Sequence, residues 1–142
     1  MTAKEWLKQI RDIDRRIDYK LEQAHRERAR AEKMTTTFGG IGGHGSEPKD
    51  LSGTIARLVD LGAEIDGLVD VLVDLKRAAG AAIEGLADGR ERDVLEMRYL
   101  SGWGWQRIAD AMHCERMTIW RWHGEALKKI RIPEKLLHNV TS

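Results

Sequence analysis

Residues 115–122, ERMTIWRW, crowd two arginines, a threonine and two of the chain's five tryptophans into one short stretch. These side chains suit the reading of duplex DNA. A guanidinium fork holds guanine O6 and N7 together, and an apolar group meets the thymine methyl. Lysines and further arginines set register on the phosphates. Other chemistries find less support. His113 and Cys114 with His123 give a C-x8-H spacing that matches no usual tetrahedral metal set, so turn and helix-surface roles are expected of them. His25, His44 and His138 are scattered, and Asp60, Asp66, Asp70 and Asp74 form a solvated row along one helix. The glycine-rich stretch 35–50 lacks the spacing and lysine of a phosphate cradle and follows a helix instead of a strand. With no nucleophile–base pair or carboxylate dyad in a supporting context, the expectation is a non-enzyme without metal or cofactor.

Helical geometry divides the basic stretch into two faces. At 100° per residue, Trp122, Ala126 and Ile130 all fall within about 60° of Ile119 and form with it the expected core stripe. Met117, Arg121, Gly124 and Lys128 lie opposite, with Thr118 and Trp120 on the flanks. Arg116 lies nearer the core edge, but its long side chain at the helix start still reaches a groove. Arg121 is the expected base reader, Arg116 and Thr118 contact bases or phosphates, and Lys128 and Arg107 contact phosphates. For Trp120 three readings stand: a thymine methyl, a protein partner such as RNA polymerase or another protomer, or partial burial against Arg116. Gly124 is costly by about 1 kcal/mol inside a helix; a close backbone approach or a tight helix crossing would each account for it.

Three short helices must position these residues. Apolar spacing predicts them at about 90–100, 105–112 and 116–130, with a tight His113–Cys114–Glu115 connection before the third and Pro133 stopping it. A short helix, a three-residue turn and a longer basic helix have the form of a helix-turn-helix. Upstream, apolar steps of three or four predict one long helix over 3–34 and a second over about 51–86, each with one apolar stripe. Joined by the glycine-rich loop, they are expected to fold back as an antiparallel, coiled-coil-like hairpin. The expected class is all-α: a hairpin over 1–88, a DNA-binding unit over 89–132 and a tail over 133–142.

The formal net charge of +1 conceals a split of +3 in 1–34, −5 in 35–89 and +3 in 90–142. Opposite charges favour pairing of the two long helices, though exposed ion pairs contribute only a few tenths of a kcal/mol each. The basic face of the first helix is expected to be solvated and pair-forming. A second hairpin packing on the first would make a homodimer or higher homo-oligomer. The single cysteine excludes an internal disulfide and suits a reducing compartment, the charged N-terminus has no signal-peptide core, and no run is long enough for a membrane helix. A cytoplasmic setting is therefore expected, with no membrane partner.

ERDVLEMRYLSGWGWQRIADAMHCERMTIWRWHGEALKKI, about forty residues, resembles region four of bacterial primary sigma factors. The frame is an Arg-Tyr pair before Gly102, Ile108–Ala109 in the first helix, Ile119 early in the second, and Ala126 to Ile130 at its end. The whole chain is similar to small phage-encoded sigma-like helix-turn-helix proteins, which implies double-stranded DNA and bacterial RNA polymerase as partners. Departures from the pattern are Gly104 where a capping Ser or Thr is usual, Arg107 in place of Glu, and Glu115 in place of Ser or Thr. Residues 1–89 do not resemble the promoter-melting region of a sigma factor, which points to a regulator. Three functions stand at this stage: a sequence-specific transcription regulator of phage type, a small-terminase-like DNA-packaging recogniser, and a coiled-coil adaptor whose helix-turn-helix binds protein.

Overall fold

The structure is a computed structural model that describes residues 1–40 and 51–138, without the side chains of 37–40 and 138. The described residues are helical, with no strand among them. The order is α1 (Ala3–Gly40), α2 (Leu51–Glu84), α3 (Gly89–Leu95), a π-helical turn (Glu96–Leu100), α4 (Trp105–Ala111), α5 (Arg116–Lys129) and α6 (Glu134–His138). The all-α class with a long helix pair ahead of short helices is as expected from the apolar spacing. Helix α1 continues six residues beyond the expected end at Met34, through Thr35 to Gly40; residues 41–50 of the expected loop lie outside the described residues. Residues 139–142 of the expected tail also lie outside them, and α6 occupies its first part.

The start of α1 carries a capping box that satisfies both orphan donors: Glu5 N donates to Thr2 Oγ1 at 3.1 Å, and Thr2 N donates to Glu5 Oε2 at 2.9 Å. Asp88 begins α3 by accepting from the backbone N–H of Arg90 and Glu91. Burial opposes the charge on that carboxylate, but the two N–H donors and the Arg90 cation outweigh it, and the Asp88 pKa lies below its ordinary value.

The chain forms two compact units, 1–14 with 71–142 and 15–70. In the first, Trp6, Leu7 and Ile10 of α1 are buried, as are Ala79, Ile83 and Leu86 around the end of α2 and Val94, Leu95 and Tyr99 beyond it. A further cluster of Val94, Ile108, Ala109 and Ile119 joins α3, α4 and α5, with Met97, Trp103, Trp105, Met112, Cys114 and Trp122 half-buried around it.

In the second unit α1 and α2 run antiparallel, in the register set by Lys20 Nζ to Glu64 Oε2 at 2.6 Å and Arg57 Nε to Glu27 Oε2 at 3.4 Å. Basic α1 thus meets acidic α2, as the charge split suggests. The unit has little core: among its described residues only Ile17 and Thr54 are buried, while Leu58, Leu61, Ile65 and Leu68 are half-buried. The expectation of one apolar stripe per helix needs correcting for α2. Ile55, Val59 and Val69 are exposed and form a second stripe outside the seam.

Candidate nucleic-acid interface

The turn between α4 and α5 sets the angle of the basic helix. His113 adopts a left-handed conformation at φ 54°, its N–H reaches Asp110 O at 3.3 Å, and Cys114 N reaches back to Ala109 O at 3.1 Å. A residue in this conformation after a helix end, with the following N–H bonded back into the last turn, is a C-terminal cap that glycine usually provides. The chain then leaves extended at Glu115 (φ −79°, ψ 155°) and enters α5. Neither Gly104 before α4 nor Glu115 before α5 makes a side-chain cap, so each helix starts on backbone bonds alone.

Along α5, Ile119, His123, Ala126 and Ile130 are buried. Arg116, Met117, Trp120, Arg121 and Lys128 are exposed, Met117 to 77%. Thr118 and Gly124 are half-buried, and Arg107 is exposed on α4. Of the residues singled out for contact, six therefore present side chains to solvent and Thr118 lies at their edge. Lys128 Nζ is 3.4 Å from Glu125 Oε1, an exposed pair one helical turn long. The Arg107 guanidinium lies 4.1 Å from the centre of the Trp103 ring, which holds the cation near the start of α4.

The buried face differs from the expected one at a single step. His123, expected on the helix surface, is 3% exposed, whereas Trp122 is half-buried with the Arg90 guanidinium 5.0 Å from its ring centre. His123 is as close in angle to Ile119 as Trp122 is, on the other side. It turns inward because Tyr99 Oη meets its Nε2 at 2.8 Å and satisfies a ring nitrogen that burial would otherwise leave bare. Burial, helped by the nearby charges of Arg98 and Lys4, lowers the His123 pKa to about 4, so the ring is neutral at pH 7. Burial likewise raises the Tyr99 pKa, against the opposing pull of Arg98 and Arg11.

An aromatic stack above this pair was not evident from the sequence. Trp105 packs against His123 at 4.8 Å and against Trp120 at 5.1 Å, and the Arg98 guanidinium lies 4.0 Å from the Trp105 ring centre. Trp120 therefore has one face on Trp105 and is 48% exposed beside Arg121. The ring contacts of Trp120 are with Trp105 and, edge-on at 6.1 Å, with His123. Behind the stack, the π-helical turn leaves carbonyls out of the α ladder. Arg11 Nη1 donates to Arg98 O at 3.1 Å and to Trp103 O at 3.4 Å, and Arg98 Nη1 also donates to Trp103 O. Gly102 makes the turn between these acceptors possible at φ 74°, a conformation unfavourable for a side chain.

Residues 82–131 match the family model described as Sigma-70, region 4. Comparison with curated proteins and with solved structures finds no match. The matched stretch runs from the last turn of α2 through α5 and contains the turn, the aromatic stack and every exposed residue described above. This part of the chain is a sigma region-four-like helix-turn-helix, a DNA-binding type of unit. Among the described residues, no helix is long and apolar enough to cross a membrane.

Proposed function

We propose that the protein is a sequence-specific, DNA-binding transcription regulator of phage type, acting in the cytoplasm of a bacterial host as a homodimer or higher oligomer. Helix α5 enters the major groove of double-stranded DNA. The observation that carries this reading is the face of α5. In a stretch matching sigma region four, Arg116, Met117, Trp120, Arg121 and Lys128 stand exposed on a helix held from behind by Ile119, His123 and Ala126.

Arg121 is the base reader, with its fork free to span O6 and N7 of one guanine. Arg116 and Thr118 approach from the helix start. Trp120, stiffened by Trp105, offers its outer face to a thymine methyl beside the guanine. Lys128 and Arg107 hold phosphates. The Lys128–Glu125 pair is exposed, so exchanging it for a phosphate contact costs at most a few tenths of a kcal/mol. Sigma factors work together with bacterial RNA polymerase, and the likeness to their region four supports polymerase as the second partner.

Selection from a random DNA pool, followed by gel-shift titration, tests this. Arg121→Ala is expected to weaken the selected site by roughly 1–3 kcal/mol and to relax preference at one base pair. Lys128→Ala is expected to weaken all sequences alike and to reduce the salt slope by about one. Failure to select any site, or wild-type binding by Arg121→Ala, would overturn the reading.

A further inference from the structure

The second apolar stripe of α2 has a regular spacing. Ile55, Val59, Gly62 and Val69 follow steps of four, three and seven, with Asp66 completing the helical row. Val59 is 67% exposed, and a side chain added at Gly62 would meet nothing within 4 Å. On α1, Leu21 is also exposed and displaced from the seam in the same rotational sense. In an antiparallel pair, that puts it on the same flank. Arg28 and Ile55 line one shallow cleft with Ala31 and Leu51, which confirms that the two helices share this side.

We propose that this flank is a two-fold interface with a second copy of the same chain, an inference that makes specific the oligomeric part of the function proposed above. Among the described residues of the unit formed by 15–70 only Ile17 and Thr54 are buried, too little for a two-helix hairpin to hold its leucines out of water unaided. The flank is also self-complementary. Ile55 precedes Gly62 by seven residues and Val69 follows it by seven. A two-fold axis at Gly62, with the α2 helices antiparallel, seats Val69 of the second copy at the Arg28–Ile55 cleft.

Charge follows the same symmetry. The Lys20–Glu64 and Glu27–Arg57 pairs place Arg28 level with Ala56, at the opposite end of the row from Asp66 and Asp70. The axis therefore brings the Arg28 of each copy to the acidic end of the other, whereas a parallel arrangement would oppose like charges. The missing side chain at Gly62 lets the two backbones approach at the crossing, as small residues do in close helix contacts.

Analytical ultracentrifugation of the full chain tests the interface without reference to DNA. Wild type is expected to be a dimer at micromolar concentration. Val59→Glu, at a position open in the single chain, is expected to raise the dissociation constant at least about tenfold with an unchanged helical circular-dichroism spectrum. Arg28→Asp and Asp66→Arg are each expected to weaken the dimer, and the double variant to recover it, which excludes misfolding as the cause. A monomeric wild type would overturn both the dimer and the oligomeric reading. A dimer indifferent to Val59→Glu and to both charge reversals would overturn this face alone. Neither result bears on whether Arg121 reads a site, which gel shift decides separately.

Discussion

His123 shows how one residue ties the reading face to the core. Its ring lies under Trp105 and Trp120, is bonded to Tyr99, and carries no charge at neutral pH because burial lowers its pKa to about 4. In the unfolded chain the same imidazole titrates near 6.5, so below that pH the unfolded state takes up a proton that the folded state refuses. The contribution is present in full above pH 6.5 and is lost as pH falls towards 4, by up to about 3 kcal/mol at 1.36 kcal/mol per pH unit. Denaturant melts of wild type and His123→Phe between pH 7.5 and 4.5 check this. The difference in stability between them is expected to narrow or reverse on acidification, and parallel curves would exclude His123 as the source. Seen from the sequence, His123 and Trp122 were equally eligible for the interior, and polarity favoured the tryptophan. The phenol of Tyr99, 24 residues away, reversed that order.

At the scale of the element, the turn into α5 carries a local conflict. His113 holds φ 54° where glycine would be unstrained, and its side chain is exposed. Left-handed backbone costs a non-glycine residue roughly 1 kcal/mol. His113→Gly is therefore expected to stabilise the fold by about 0.5–1 kcal/mol and to raise the melting temperature by a few degrees, provided the added freedom of the unfolded chain does not cancel it. Scanning calorimetry of the single variant measures this, and a clear loss of stability would show that the imidazole itself holds the turn. The boundaries of α4 and α5 were legible to within a residue, because the periodic apolar positions and the stop before Pro133 are local signals. The π-helical turn at 96–100 was not. Its Arg98 carbonyl accepts from Arg11, far away in sequence, which also reaches Trp103 O just beyond the turn.

For the molecule as a whole, the compact unit that holds the helix-turn-helix is not confined to the C-terminal residues. It includes 1–14, with Trp6, Leu7 and Ile10 buried and Arg11 bonded behind the aromatic stack. Burying one such apolar side chain is worth roughly 1.5–3 kcal/mol, and a domain is stable by only about 5–15 kcal/mol. Removing residues 1–14 is thus expected to abolish the cooperative thermal melt of residues 71–142, as followed by tryptophan fluorescence. A fragment that melts as sharply as the full chain would mean that these contacts contribute little. The capping box at Thr2 and Glu5 belongs to the same logic, since it starts α1 where its core residues begin.

The sequence by itself determined what depends on near neighbours: the helices, the helix-turn-helix and the outward placement of Met117, Arg121 and Lys128, whereas Arg116, near the core edge by helical angle, is exposed in the structure. It also determined that basic α1 and acidic α2 would pair, because each carries its charge along its own length. Only the tertiary structure decided which of two adjacent aromatic residues entered the core and that Trp120 would rest on Trp105. It alone showed that the start of α1 shares a compact unit with the helix-turn-helix and that α2 keeps a second apolar stripe uncovered. Each of these turns on contacts between residues tens of positions apart. Local periodicity describes how a helix divides into faces, while burial depends on what another segment brings to meet each face.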